Sequence, residues 1–329
     1  MSLSIGIVGL PNVGKSTLFN ALTKKSVPAE NYPFCTIDPS VGIVPVPDER
    51  VQLLSDFSKS AKTIPAVIEF VDIAGLVAGA SKGEGLGNKF LSNIKEVDAI
   101  LHMVRTFEDN SVIHVANKVD PMQDIGVINL ELVLADFETV SKRLANLDRD
   151  AKRGIKEAIA EQDILKKVEA VLEKSQMATE ANLSEEEKFK IKSLNLLTLK
   201  PMLYALNISE ANENVEITAP GLWVKIDPVF EKGFDDLIKK SYELLGLETF
   251  FTTGEDETRA WTIKVGSTAP IAGTAIHTDF KDKFIRAEVV YWKDLLDAGS
   301  YAEARSKGKV RTEGKEYIVK DGDVIEFKI

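Results

Sequence analysis

The chain has 329 residues, of which 44% are hydrophobic and 28% charged, and this composition is typical of a folded globular protein. The length predicts two or three domains rather than one. A formal net charge of −10 argues against bulk electrostatic binding to nucleic acid, although it allows a local basic patch. The single cysteine, Cys35, excludes an internal disulfide, and no apolar run is long enough to cross a bilayer. We therefore expect a cytoplasmic protein with no membrane partner.

The most informative motif lies at residues 9–17, which read Gly-Leu-Pro-Asn-Val-Gly-Lys-Ser-Thr. The spacing Gly-x4-Gly-Lys-Ser is that of a phosphate-binding loop, and it stands between a short apolar run and a helical pattern. A strand that turns through glycines into a helix directs backbone N–H groups and the helix N-terminus at one point, which is a site for an anion. The motif predicts that Lys15 reaches the outer phosphates and that Ser16 ligates Mg²⁺. The predicted nucleotide contacts in this loop are Asn12, Val13, Gly14, Lys15, Ser16 and Thr17.

Two segments after this loop favour a nucleotide-dependent switch. Thr36 lies in a loop broken by prolines, where switch proteins place a second Mg²⁺ ligand, although an ordinary turn residue is the alternative. The β-rich run at 64–75 ends in Asp-x-x-Gly. At the end of a strand, Asp72 can hold a Mg²⁺-bound water while the Gly75 N–H meets the γ-phosphate.

The residue that follows Gly75 is informative because of what it cannot do. Many related hydrolases have a glutamine there that orients the attacking water, whereas this chain has Leu76, which cannot hydrogen-bond. Either the protein hydrolyses its nucleotide slowly, or another group positions the water.

Two motifs compete for the role of reading the base. Residues 117–120, Asn-Lys-Val-Asp, match the pattern by which switch GTPases read guanine, and residues 207–210, Asn-Ile-Ser-Glu, are the rival. A base-reading loop must follow a buried parallel strand that is reached through a crossover helix. Too few residues separate the motif at 117–120 from the strand before it, whereas long helical sequence precedes 207–210. We therefore predict that Asn207, Ile208 and Glu210 contact the base and that ATP is preferred over GTP.

The rest of the chain divides into a helical part and a β-rich part. Few helix breakers occur between 127 and 176, and the pattern predicts an antiparallel helical hairpin with a bend near Gly154. Residues 249–329 contain short strands, predicted at 261–265, 284–291, 316–319 and 324–329, which indicate a small α+β domain. A cluster of basic residues in this domain either contacts RNA phosphates or belongs to a solvated loop. Its members are Arg305, Lys307, Lys309, Arg311 and Lys315.

Taken together, these motifs resemble the YchF subfamily of Obg-like ATPases over nearly the whole chain. The matches include the phosphate loop, Asn-Tyr-Pro-Phe-Cys-Thr at 31–36, Phe-Val-Asp-Ile-Ala-Gly-Leu-Val-Ala-Gly-Ala at 70–80 and Asn-x-x-Glu at 207–210. Further matches are Arg-Ala-Trp-Thr at 259–262 and Ile-His-Thr-Asp-Phe at 276–280.

The resemblance implies an α/β fold with three parts. These are a Ras-like P-loop nucleotide-binding domain at 1–126 and 198–247, a helical coiled-coil insertion at 127–197, and a C-terminal α+β TGS domain at 248–329. It also implies a Mg²⁺-dependent P-loop ATPase that associates with the ribosome or its large subunit. RNA contacts through the TGS domain and the helical arm belong to the same expectation.

The family also suggests which residue replaces the missing glutamine. Its members have a hydrophobic residue where this chain has Leu76, and a histidine after the fourth core strand is the proposed substitute, a place that His114 matches. One departure concerns residues 211–233, which are far fewer than the family has there. Either this member is shortened or a segment is missing, and 213–217 is a candidate for the remaining strand.

Two other functions stay open at this point. One is a GTPase of the Obg class that acts in ribosome assembly. The other is a nucleotide-gated scaffold with negligible turnover, which Leu76 allows because it cannot orient water.

Overall fold

Two six-stranded sheets and a helical arm form the protein in a computed structural model that describes residues 3–24, 38, 40–73, 86–108, 119–209 and 219–329. In chain order the strands are β1 (Ser4–Val8), β2 (Val41–Pro45), β3 (Lys62–Ile64), β4 (Val67–Asp72), β5 (Ala99–Arg105), β6 (Met202–Asn207), β7 (Leu222–Ile226), β8 (Leu247–Thr253), β9 (Glu257–Lys264), β10 (Arg286–Tyr291), β11 (Arg311–Glu313) and β12 (Asp323–Lys328).

Eleven α-helices lie in the same described ranges. They are α1 (Lys15–Thr23), α2 (Glu49–Ser58), α3 (Leu86–Glu96), α4 (Pro121–Lys152), α5 (Lys156–Leu172), α6 (Glu185–Lys190), α7 (Phe234–Leu244), α8 (Ala269–Gly273), α9 (Asp279–Lys283), α10 (Trp292–Ala298) and α11 (Tyr301–Ser306). None of these helices is both long and apolar enough to cross a membrane.

The first sheet has the strand order β2-β4-β1-β5-β6-β7 and is parallel except for β2, which pairs antiparallel with β4. All seven residues of β5 are buried, as expected of a central parallel strand with helices on both faces of the sheet. Because the parallel strands run in one direction, the C-terminal ends of β1, β4, β5, β6 and β7 lie at one edge of the sheet. The predicted α/β nucleotide-binding fold is therefore confirmed.

The helical arm is an antiparallel pair that turns at Gly154, as the sequence predicts. Gly154 has φ 82°, a left-handed conformation that ends α4 and starts the turn into α5. The two helices share an apolar core. The Arg143 guanidinium adds a two-pronged contact with Glu161, at 2.7 Å from Nε and 2.8 Å from Nη2.

A buried carboxylate ties the returning chain to the arm just before β6. The Asp136 side chain accepts hydrogen bonds from the backbone N–H groups of Leu197 at 2.9 Å and Thr198 at 2.7 Å, and from the Thr198 hydroxyl at 2.5 Å. Asp136 is 1% exposed, so these donors replace the water that the carboxylate loses on burial. This anchor sets the position from which β6 enters the sheet.

The second sheet has the order β11-β10-β12-β8-β9-β3 and joins the C-terminal part of the chain to the first domain. Its edge strand β3 comes from the first domain and pairs in parallel with β9. Arg50, which lies on α2, strengthens the junction because its guanidinium contacts both Asp48 and Asp321, at 2.7 and 2.5 Å. The two domains therefore share a sheet as well as side-chain contacts.

Three features differ from the sequence predictions. The strand expected at 316–319 is reduced to a single bridge between Thr268 and Ile318, whereas β11 was not predicted. The third difference is β7, a strand that was not predicted and that pairs with β6. Residues 213–217, the candidate strand after the base-reading motif, lie outside the described residues, so that prediction is untested. The available signal for β7 was the alternation of the apolar residues Leu222, Val224 and Ile226, which is typical of a strand.

A buried histidine in β5 generates a prediction about pH and stability. His102 is 1% exposed and lies against the Tyr204 ring, 5.4 Å between centroids. Burial, with a smaller contribution from the charge of Lys15, lowers the pKa of His102 from 6.5 to about 3. Below pH ~6.5 the unfolded chain therefore binds a proton that the native state does not, so stability falls as the pH drops through this range.

We expect His102→Phe to remove this pH dependence. On going from pH 7.5 to pH 5, wild type should lose about 2 kcal/mol more of its free energy of unfolding than the variant does. Urea unfolding of both proteins at the two pH values measures the difference. If the free energies of unfolding of the two proteins change with pH in parallel, His102 is not kept neutral in the native state over this pH range.

Candidate functional site

The phosphate-binding motif forms the connection from β1 to α1. Gly14 caps the N-terminus of α1 at φ 100°, a left-handed conformation that glycine adopts without strain. A Cβ atom at this position would come within 2.7 Å of Asn207 Nδ2, so both the backbone angle and the available space require glycine. The N-terminus of α1 thus lies at the C-terminal edge of the sheet, where the N–H groups of its first turn can bind an anion.

Lys15 and Asp72 form the charged centre of this loop. Lys15 is 8% exposed, and its ammonium donates a hydrogen bond to the Leu10 carbonyl at 2.8 Å. Burial lowers the pKa of Lys15, while the Asp72 carboxylate acts in the opposite direction. Burial likewise raises the pKa of Asp72, and Lys15 partly offsets the effect. The two side chains therefore interact electrostatically between the start of α1 and the end of β4.

Asn207 connects the end of β6 to the phosphate loop. Its side-chain Nδ2 donates a hydrogen bond to the Val13 carbonyl at 2.9 Å, although the two residues are 194 positions apart in sequence. Asn207 is only 6% exposed, so this contact is shielded from water. The bond holds the predicted base-reading segment against the predicted phosphate-binding segment.

One cavity of about 680 Å³ joins these two segments. Its lining includes eight of the predicted nucleotide contacts: Asn12, Val13, Gly14, Lys15, Ser16, Thr17, Asn207 and Ile208. The volume lies in the range of pockets that bind drug-sized ligands and cofactors. The structure thus brings the two motifs into a single site.

The same cavity has walls that the sequence analysis did not single out. Arg105 is the last residue of β5 and Phe107 follows it, whereas Asp227, Pro228, Val229 and Phe230 follow β7. The Arg105 Nε donates to the Phe107 carbonyl at 2.9 Å, and the guanidinium lies 5.1 Å from the centre of the Phe107 ring. Their position at or directly after the ends of parallel strands was the available signal, because such strand ends line the sites of open α/β sheets.

Several predicted residues lie outside the described residues: Thr36, Gly75, Leu76, His114 and Glu210. Their roles therefore stay predictions. Asp120, the last residue of the competing motif at 117–120, is described, and its carboxylate accepts a hydrogen bond from the Gln123 N–H at 3.1 Å as the N-cap of α4. This aspartate is thus used to start the helical arm.

The donor set at the loop is suited to a hard divalent cation. Ser16 lines the cavity, and the Asp72 carboxylate interacts with Lys15, the residue before Ser16. Hydroxyl and carboxylate oxygens are the ligands that Mg²⁺ prefers. The raised pKa of Asp72 supports the fit, because a partly buried carboxylate is stabilised by additional positive charge.

Comparisons with known proteins agree with this geometry. Residues 4–174 match the family described as 50S ribosome-binding GTPase, and residues 247–329 match the YchF GTPase C-terminal family, whose description is a protein of unknown function. The chain is 50% identical over 365 residues to the Ribosome-binding ATPase YchF of Bacillus subtilis, covering 100% of this chain and 99% of that protein. It is 47% identical over 360 residues to the protein of the same name from Haemophilus influenzae, with coverage of 100% and 99%.

The structural comparison covers both domains and the arm. The YchF GTPase of Schizosaccharomyces pombe matches with a TM-score of 0.87 and 39% sequence identity, over 99% of this chain and 98% of that one. Sequence and structure thus lead to the same conclusion over the full length, and the chain belongs to the YchF family.

Proposed function

We propose that this protein is a Mg²⁺-dependent ATPase that hydrolyses ATP slowly and acts as a conformational switch on the ribosome. The single observation that carries the proposal is the 680 Å³ cavity in which the phosphate loop and the segment at Asn207 meet. Phosphates bind at the N-terminus of α1 beside Lys15, and the base lies over the end of β6. The relatives that bear the name Ribosome-binding ATPase support both the reaction and the partner.

The preference for ATP rests on which group is available to read the base. A guanine-reading motif uses an aspartate carboxylate that accepts two N–H groups of the base. Only residues 117–120 of the sequence fit that motif, and their aspartate is Asp120. Its carboxylate instead caps α4 by accepting a hydrogen bond from the Gln123 N–H. We assign the base to Asn207 and Ile208. The chain has Glu210 where the guanine motif has an aspartate, and because the glutamate side chain is longer, we expect no carboxylate matched to guanine and acceptance of adenine.

Ser16 and Asp72 would hold the magnesium ion, and Thr36 would complete its ligands in the triphosphate state. The ion would neutralise charge on the phosphates of the nucleotide. Lys15 contributes a further positive charge from a buried position. With Leu76 in place of a glutamine, we assign the positioning of the attacking water to His114.

GTP hydrolysis is the second candidate. The solved relative from Schizosaccharomyces pombe is named a GTPase, and so is the family that matches residues 4–174, whereas the bacterial relatives are named ATPases. The nucleotide is therefore the point that experiment must decide first.

The partner we propose is the ribosome, reached through the C-terminal domain and the helical arm, and this places the protein in the cytoplasm. The net charge of −10 means that an RNA contact needs a local basic surface. Part of the basic cluster is neutralised within the domain, because Arg305 contacts Glu288, Lys309 lies 3.1 Å from Asp294, and Arg311 lies 3.5 Å from Glu313. Lys307 and Lys315 are exposed and are the best candidates for phosphate contacts.

We expect ATP to bind at least tenfold more tightly than GTP when each competes against a fluorescent ATP analogue with Mg²⁺ present, a difference of about 1.4 kcal/mol. Lys15→Ala should weaken both nucleotides strongly, since the buried ammonium meets phosphates that they share. Chelation of Mg²⁺ should also weaken both. Tighter binding of GTP would reject the ATP assignment in favour of the second candidate.

We expect His114→Ala to lower single-turnover ATP hydrolysis by about 100-fold while the affinity for ATP stays within twofold, as for a group that positions the attacking water. His277→Ala is the matched control, because His277 is 64% exposed on the C-terminal domain. Unchanged turnover in His114→Ala would remove the proposed role of this histidine.

We expect the full chain to sediment with ribosomes when a non-hydrolysable ATP analogue is bound, and ribosomes to accelerate its single-turnover hydrolysis. Lys307→Glu combined with Lys315→Glu should weaken sedimentation most at low salt, because fewer phosphate contacts reduce the salt dependence of binding. If the protein sediments with ribosomes but its hydrolysis is negligible and ribosomes do not accelerate it, the protein is instead a nucleotide-gated scaffold.

A further inference from the structure

An apolar pair on the turn after β7 has no role in the proposed chemistry. Val229 is 74% exposed and Phe230 is 59% exposed, yet both line the same cavity as Lys15 and Asn207. Scattered exposed apolar side chains are common on protein surfaces. Two adjacent ones that face a ligand-sized cavity are different, because they offer the ligand an apolar wall.

The turn that carries this pair is held in one conformation. The backbones of Asp227 and Lys232 exchange hydrogen bonds of 3.0 and 3.1 Å, and the Asp227 carboxylate accepts from the N–H groups of Val229 at 3.0 Å and Phe230 at 3.1 Å. Gly233 closes the turn at φ 76°, where a Cβ atom would come 2.2 Å from the Lys225 carbonyl oxygen. The backbone of Phe230 is therefore held in place before any ligand binds.

The strand order places this wall on the base side of the site. Strands β5, β6 and β7 are consecutive in the sheet, and Asn207 at the end of β6 lies between Phe107 after β5 and Phe230 after β7. Neighbouring strands are about 4.8 Å apart, so the two flanking strands are separated by about 10 Å. That spacing accommodates a planar base with an aromatic ring on each side, since stacked rings have centroids about 4.5 to 7 Å apart.

The phosphate end of the cavity lies on the other side of Asn207. Lys15 and Ser16 belong to α1, which follows β1, and β5 separates β1 from β6 in the sheet. Phe230 is thus one strand farther from the phosphate loop than Asn207 is. An apolar ring at that end has nothing to offer a phosphate but can stack on any purine.

We propose that Phe230, supported by Val229, stacks on the purine base of the bound nucleotide and contributes affinity without selecting between adenine and guanine. The inference rests on the proposed nucleotide site and assigns a further binding residue within it. Every purine has a π-face, so the contact is the same for both bases, and selectivity is left to the groups at Asn207.

The test is a titration of the full-length protein with ATP, GTP and inorganic tripolyphosphate, the last of which has no base. We expect Phe230→Ala to raise the Kd of ATP and of GTP by about tenfold each, while the Kd of tripolyphosphate stays within twofold of wild type. Phe230→Trp should retain or improve nucleotide affinity because it keeps an aromatic face. Phe189→Ala is the matched control, since Phe189 is 77% exposed on α6 and lies outside this cavity.

The outcomes separate this inference from the proposed function. Wild-type protein that binds neither ATP nor GTP would reject the nucleotide site itself. Wild-type protein that binds ATP, together with a Phe230→Ala variant of equal affinity, would reject only the stacking role. A variant that loses ATP and tripolyphosphate alike would also overturn it, because the ring would then act through the shape of the loop and not through the base.

Discussion

The hydrogen bond from the Asn207 side chain to the Val13 carbonyl is the contact on which the site depends. At 2.9 Å and shielded from water, it joins the end of β6 to the loop between β1 and α1. It holds the segment proposed to meet the base against the segment proposed to meet the phosphates. The bond also explains why Gly14 lacks a side chain, because a Cβ atom there would come within 2.7 Å of the same Asn207 nitrogen.

Electrostatics within the loop follow from the same close packing. Burial lowers the pKa of Lys15 and raises the pKa of Asp72, so it favours the neutral form of each side chain. Each charge partly offsets this effect on the other. Such a pair is prepared for a ligand that brings both negative phosphates and a cation. The anchor at Asp136 supports this arrangement from a distance, because it sets where the chain returns from the arm to begin β6.

The junction between the domains can transmit a nucleotide-dependent conformational change from the proposed site to the C-terminal domain. Strand β3 belongs to the first domain in sequence but to the second sheet in space, and Arg50 connects Asp48 to Asp321 across the same junction. The element that leads into this junction is β2, which pairs with β4 next to Asp72. Only residues 65 and 66 separate β3 from β4, the strand that ends at Asp72, so the chain connects the edge of the proposed nucleotide site directly to the second sheet.

The sequence alone determined the parts that depend on local pattern. The glycine spacing at 9–17, the helical hairpin that bends at Gly154 and the parallel sheet were all predicted, because turn geometry and apolar periodicity are properties of neighbouring residues. The choice of 207–210 over 117–120 also came from the sequence, through the length of chain that a parallel crossover needs. Leu76, His114 and Thr36 stay predictions that lie outside the described residues.

Tertiary structure decided what depends on residues that are far apart in the chain. The partner of Val13 is 194 positions away, and β3 crosses into a sheet formed by residues 247–328. The aromatic wall at Phe230 became visible only when the strand order set β7 beside β6. No local pattern contains these contacts, because the free energy that selects them comes from burying side chains of the whole chain in a common core.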